Sequence, residues 1–222
     1  MSIKPSQFEV GIGDLYRIWQ TLPRQTGICR WKSLQIRENF GLKYLTIVAN
    51  VDEPLSQLQP ADLGGHDETR DADDKDGEIY EIDDETVQPR TPVPRPATEI
   101  ACDVIYSAAY QVPVLYLTPT TKPTSRGPSL INELYLSIVP SHRRGQLENV
   151  GTLGALSMTD HPVTGLPMCF VHPCRTQEAM LAAIGGRDVS AIEYLMLWFG
   201  LVGSSVALDV PIELAIAAQE IM

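Results

Sequence analysis

Residues 52–98 limit what the rest of the chain can build, because almost nothing in them can be buried. The stretch holds Asp67-Glu68, Asp71, Asp73-Asp74, Asp76, Glu78, Glu81 and Asp83-Asp84-Glu85, and it closes on Pro89, Pro92, Pro94 and Pro96. Large apolar side chains are sparse there, so burial offsets little of the entropy lost on ordering. The expectation is a flexible acidic insertion, with one domain over residues 1–222 assembled from its two flanks. The carboxylates lack the register of a calcium loop. A loop that binds a basic partner surface is the functional alternative to plain solvation. With a formal net charge of −11, the chain is a poor candidate for a nucleic-acid binder.

The flanks read as strands first and helices later. Pro5 to Leu22 sets Phe8, Ile12, Leu15, Trp19 and Leu22 at helical spacing, despite Gly11 and Gly13. Trp31 to Arg37 alternates like a strand, and Leu42 to Val51 is an apolar run rich in β-branched residues. Ile100 to Tyr106 and Val112 to Leu117 continue an antiparallel meander through Ser107-Ala108-Ala109. Ser129 to Ile138 puts Leu130, Ile131, Leu134, Tyr135 and Ile138 on one helical face, and His142 to Asn149 is polar and reads as loop. Leu166 to Val171 is a strand; Thr176 to Ile184 and Ser190 to Leu201 are helices parted by Gly185-Gly186. This order predicts an α+β domain, an antiparallel sheet flanked by helices.

The chemistry concentrates in His172-Pro173-Cys174. Side chains two apart on a strand share a face, so Met168, Phe170, His172 and Cys174 point one way, and Cys169 and Val171 the other. In extended chain His172 lies about 7 Å from Cys174 on that face. Pro173 has no amide hydrogen and ends the strand, leaving Cys174 at a strand-to-loop junction. Thr176 is placed to cap the following helix, with Glu178 in its first turn. A thiol just before a helix N-terminus has its thiolate stabilised, which makes Cys174 the candidate nucleophile. His172 is placed to tune that thiol or to take a proton from an attacking amine, or merely to support the loop.

Cys29, Cys102 and Cys169 read as small buried hydrophobes. Zinc fits poorly: Cys169, His172, Cys174 and His161 are close in sequence, but Cys169 and His172 face opposite sides of one strand and there is no Cys-x-x-Cys pair. Four cysteines spread over 222 residues argue against a disulfide framework. The start Met1-Ser2-Ile3-Lys4-Pro5 has no signal-peptide core, and the apolar run Tyr194 to Val202 is too short to span a bilayer. With free thiols, this predicts a soluble cytoplasmic protein.

The stretch from Asp160-His161-Pro162 to Cys174-Arg175-Thr176 resembles the autophagy-related protein 10 family, ubiquitin-conjugating-enzyme-like proteins with a His-Pro-Cys active site. Two further blocks are similar to the same family: Tyr106-Ser107-Ala108-Ala109-Tyr110-Gln111-Val112-Pro113-Val114-Leu115-Tyr116, and Tyr194 to Phe199. A sister family, autophagy-related protein 3, follows its His-Pro-Cys with a histidine where Thr176 stands here. The resemblance covers most of the chain from Ile100 onward and implies a ubiquitin-conjugating-like fold.

It also implies an activity. Cys174 would carry autophagy-related protein 12 as a thioester, received from autophagy-related protein 7 and passed to a lysine of autophagy-related protein 5, with no metal or organic cofactor. By the same resemblance Tyr110 lies near the reactive cysteine, as an oxyanion donor or amine guide, or else as a tyrosine packed at a sheet edge. Tyr106 and Tyr116 read as packing residues. His161-Pro162 is similar to the His-Pro of ordinary ubiquitin-conjugating enzymes, but Val163 stands where those carry asparagine, so the oxyanion donor is an unfilled role. Nothing argues for Asn132 or Asn149 in it. Two other classes stay open: a cysteine hydrolase of a ubiquitin-like modifier, with His142 as a conceivable base, and a non-catalytic adaptor on the same fold.

Overall fold

A computed structural model of the chain describes residues 2–23, 30–51, 99–120, 134, 138 and 156–220. The acidic stretch 52–98 lies outside the described residues, as do Cys29, Asn132, His142 and Asn149 with the expected loop around them. Of the helix expected at Ser129 to Ile138, only Leu134 and Ile138 are described; both are helical and buried.

Helix α1 (Pro5–Thr21) starts with proline at its first position, where the missing N–H costs nothing, and the Gln7 side chain accepts the Lys4 N–H at 3.1 Å. Its buried face is Phe8, Gly11, Ile12, Leu15 and Ile18. Among the described residues six strands follow: β1 (Trp31–Asn39), β2 (Leu42–Asn50), β3 (Glu99–Ser107), β4 (Val112–Pro119), β5 (Leu156–Asp160) and β6 (Pro167–Val171). They form one sheet in the order β1-β2-β3-β4-β6-β5, every pairing antiparallel. Helices α2 (Thr176–Ile184), α3 (Ala191–Val202) and α4 (Ile212–Gln219) come last. The expected α+β order is the observed one, and it agrees with a ubiquitin-conjugating-like arrangement. Asn50 pairs with Glu99, so the two flanks of the acidic stretch meet as neighbouring strands.

One sheet face supplies Leu45, Ile47, Ile100, Cys102, Val104, Leu115, Leu117, Cys169 and Val171 to the main core, which the helices share through Phe8, Ile12, Leu195, Trp198 and Phe199. The other face carries a smaller cluster of Tyr44, Ile105, Val114 and Tyr116, with Met168 and Phe170 packed against it.

Two elements were not expected. Strand β5 has few strong strand formers and lies at the sheet edge with one buried residue, Leu156, so its sequence carries little alternation. Helix α4 is eight residues long and alternates no clear polar face, too short for periodicity to announce it. Gly11, which looked like a blemish in α1, lets two helices touch. A Cβ there would lie 2.8 Å from the Ala191 carbonyl oxygen and from Leu195 Cδ1 on α3. Gly13 has nothing within 4 Å of the same atom. Gly11→Ala is therefore expected to cost about 1–3 kcal/mol of stability. Gly13→Ala is expected to gain about 0.5–1 kcal/mol. Urea denaturation of the two variants measures both.

Candidate active site

The site begins where β6 runs out. Cys169 pairs with Leu117 and Phe170 with Tyr116 on β4, so alternation sends Cys169 and Val171 into the core and Met168 and Phe170 to the outer face. After Val171 the chain turns at once. Pro173–Arg175 form a 3-10 turn that continues without a break into α2. Proline cannot prolong a central strand but suits the first position of a helix, so one residue both ends β6 and starts the helical run.

His172 is the cap of that run. It keeps extended backbone, φ −66° and ψ 122°, and its Nδ1 accepts the Cys174 N–H at 3.2 Å. This corrects two expectations. Thr176 is not a cap: it is the first residue of α2, only 9% exposed, and α2 begins with no side-chain cap because the turn before it already supplies one. The imidazole is not held some 7 Å down an extended strand but folds back onto the Cys174 backbone. Because Nδ1 accepts, the neutral ring carries its proton on Nε2. The ring can take a proton at Nδ1 only by giving up the cap.

Cys174 is exposed, while burial pushes the Cys169 thiol up to about 11 and that of Cys102 higher still. Cys102 and Cys169 are small core residues, as expected. Among the described residues no three His, Cys, Asp or Glu side chains converge as a metal site would need.

Tyr110 reaches the site from a different element. It sits in the turn between β3 and β4, not on a strand, with its N–H bonded to Ser107 Oγ at 3.3 Å and its ring partly exposed. Ser107 pairs with Val112, and Tyr116 with Phe170, so that turn lies at the end of the sheet where β6 leaves for the helix. The Tyr110 ring meets His172 edge-on at 5.8 Å, and Phe170 flanks the imidazole at 5.6 Å. His172 is thus walled by one ring from its own strand and one from the neighbouring turn. Tyr116 packs, stacked on Phe170 at 6.1 Å.

His161 does not join Cys174. It is buried in the turn between β5 and β6, where its Nδ1 accepts the N–H groups of Val163 at 3.3 Å and Thr164 at 3.2 Å. Asp103, unforeseen, meets it from β3, and Thr46 on β2 donates to that carboxylate. The available signal was a lone carboxylate inside the apolar run of β3. A cleft of about 610 Å³ beside β1, lined by Trp19, Trp31 and Asn50 among others, touches none of these residues.

A sheet-then-helix α+β domain with an exposed, capped thiol where the last central strand turns into a helix has the layout of a ubiquitin-conjugating-like protein. The family described as "autophagocytosis associated protein, active-site domain" matches residues 8–213, and the chain belongs to it. It is 32% identical over 144 residues to the ubiquitin-like-conjugating enzyme ATG10 of Gibberella zeae, covering 65% of this chain and 60% of that one. Against the Homo sapiens protein of the same name it is 27% identical over 119 residues, 53% of this chain and 52% of that one. The Dictyostelium discoideum protein gives 30% over 122 residues, 50% and 52%. The matches thus span between about half and three-fifths of these relatives' lengths.

If the His172 ring caps the turn, His172→Ala should cost about 0.5–2 kcal/mol and His172→Asn, which keeps a capping acceptor, clearly less. Urea midpoints of the two variants compare them directly.

Proposed function

We propose that Cys174 accepts the carboxy-terminal glycine of a ubiquitin-like modifier as a thioester and passes it to a lysine amine of a protein acceptor. The observation that carries this reading is the pose of the thiol: exposed, on the first turn of a helical run, with its own amide fixed by His172 and the Tyr110 ring edge-on to the imidazole. The relatives, named as ubiquitin-like-conjugating enzymes, supply the class of reaction.

The chemistry balances without a cofactor. The Cys174 thiolate attacks the acyl carbon of the modifier's thioester on its activating enzyme; one C–S bond forms as another breaks, and the activating enzyme leaves as thiolate. A lysine amine then attacks the new thioester. A C–N bond forms, the C–S bond breaks, the amine gives up a proton and the Cys174 thiol is restored. Positioning and oxyanion stabilisation are what the protein adds. His172 contributes position through the cap, and Tyr110, exposed and packed on His172, offers a hydroxyl for the oxyanion or the amine. By family resemblance the modifier is autophagy-related protein 12, the acceptor autophagy-related protein 5 and the activating enzyme autophagy-related protein 7, acting in the cytoplasm.

Mixing the chain with activating enzyme, ATP and modifier should yield a thiol-sensitive adduct on non-reducing gels. Cys174→Ser should give a thiol-resistant oxyester instead. An adduct that persists in Cys174→Ala places the chemistry elsewhere; cleavage of a modifier precursor without an adduct would make the protein a hydrolase, and binding alone an adaptor. Deleting Asp67 to Glu85 should leave charging nearly intact, since that stretch is read as a solvated insertion; loss of charging would give it a role.

A further inference from the structure

We infer that Asp103 and His161 form a positioning pair for the active-site turn, acting on Cys174 through Tyr116, Phe170 and His172. The inference deepens the conjugating reading and rests on it for its kinetic arm.

His161 holds the turn between β5 and β6 by four bonds. Its Nδ1 accepts the N–H of Val163 and of Thr164, its own N–H donates to the Leu166 carbonyl at 2.8 Å, and its carbonyl accepts the Gly165 N–H at 2.8 Å. With Nδ1 an acceptor, Nε2 carries the proton and faces Asp103 Oδ2 at 3.3 Å. That contact lacks a hydrogen bond's alignment and is chiefly coulombic. The carboxylate is itself aimed: Thr46 Oγ1, directly across from Asp103 on β2, donates to Oδ1 at 2.6 Å. The turn is thereby pinned to the outer face of the sheet.

The pinning has a direction. The His161 ring meets Tyr44 edge-on at 6.3 Å and Tyr116 at 5.2 Å. Tyr116 stacks on Phe170, its pairing partner on β6, and Phe170 walls the imidazole that caps Cys174. One row of rings runs from the pair to the cap. A shift of His161 would be felt at Tyr116 and two rings later at His172, and small displacements at a reacting centre change rates steeply.

Three groups face His161 that bear on its charge: Asp103 from β3, Tyr44 from β2 and Tyr116 from β4. Both phenols are themselves held neutral by burial, with Asp103 adding to the effect on Tyr44 and Arg37 opposing it. Burial lowers the affinity of His161 for a proton, against a smaller opposing pull from Asp103. A second proton on the ring would also turn Nδ1 from acceptor to donor and break both bonds to the turn. The unfolded chain therefore takes this proton first. The pair's contribution is whole above the ordinary histidine value near 6.5 and is lost as pH falls through the lower folded value.

The test uses the full chain with Asp103→Asn, Thr46→Val, Thr46→Ser and His161→Asn, whose side-chain oxygen can still accept the turn amides. Histidine ring NMR reads His172 directly, and discharge of the Cys174 thioester onto free lysine reads the rate. Asp103→Asn and Thr46→Val should move the His172 ring resonances and slow discharge by about tenfold. Thr46→Ser, which keeps the hydroxyl, should recover most of both. The wild-type advantage over His161→Asn should shrink as pH drops below the histidine range. Unmoved His172 resonances in Asp103→Asn, a Thr46→Ser protein no better than Thr46→Val, or a wild-type advantage constant with pH would each overturn the inference. If wild type never forms a thioester, the conjugating reading fails alone, and the NMR comparison still decides the positioning pair.

Discussion

The hydrogen bond from the Cys174 N–H to His172 Nδ1 joins the two halves of this architecture. Upstream of it the chain is strand, downstream helix, and the first residue past β6 supplies the cap that the helical run needs. Because Pro173 has no N–H, Cys174 presents the first amide of the helical run, and the ring that accepts it belongs to the residue leaving β6. The thiol is fixed to the sheet through its own backbone rather than through its sulfur. This leaves the sulfur exposed and its neighbourhood ordered, a combination suited to a group that must receive a large protein-linked acyl chain.

The outer face of the sheet takes its meaning from that cap. Tyr116, Phe170 and Tyr110 look unremarkable as single aromatics, but His172 stands between the last two. The rings come from β4, β6 and the turn between β3 and β4, so the site is only as well placed as the registers of those strands. The main core on the opposite face sets those registers, since Cys169 and Val171 are anchored in it while Phe170 faces away. Cys169 and Cys174, five residues apart in sequence, thus meet opposite fates: one thiol buried and inert, the other at the surface.

Much of this was legible in the sequence where the signal was local and periodic. Phe8, Ile12 and Leu15 announced α1, the apolar run of β2 announced a central strand, and alternation along β6 separated Cys169 from Phe170 correctly. Pro173 ends a strand as its missing N–H requires, but it also begins helices well, so the helical run starts there and its cap is His172 instead of the expected Thr176. Resemblance placed Tyr110 near Cys174; its contact with His172 had no signal in the sequence, because no spacing rule joins a turn residue to one so far along the chain. The contact of Thr46, Asp103 and His161 was out of reach for the same reason: three residues from three elements meet only once the sheet is assembled. Gly11 was read as a cost to a helix, because its partner Ala191 lies on the far side of the fold in sequence.

The central claim is that the imidazole of His172 works as an acceptor for the Cys174 amide. Long-range proton–nitrogen NMR on the histidine rings reports the tautomer and any coupling across that bond. Expected are a ring proton on Nε2, an unprotonated Nδ1, and a coupling from Nδ1 to the Cys174 N–H. A ring protonated at Nδ1, with no coupling to that amide, would contradict it.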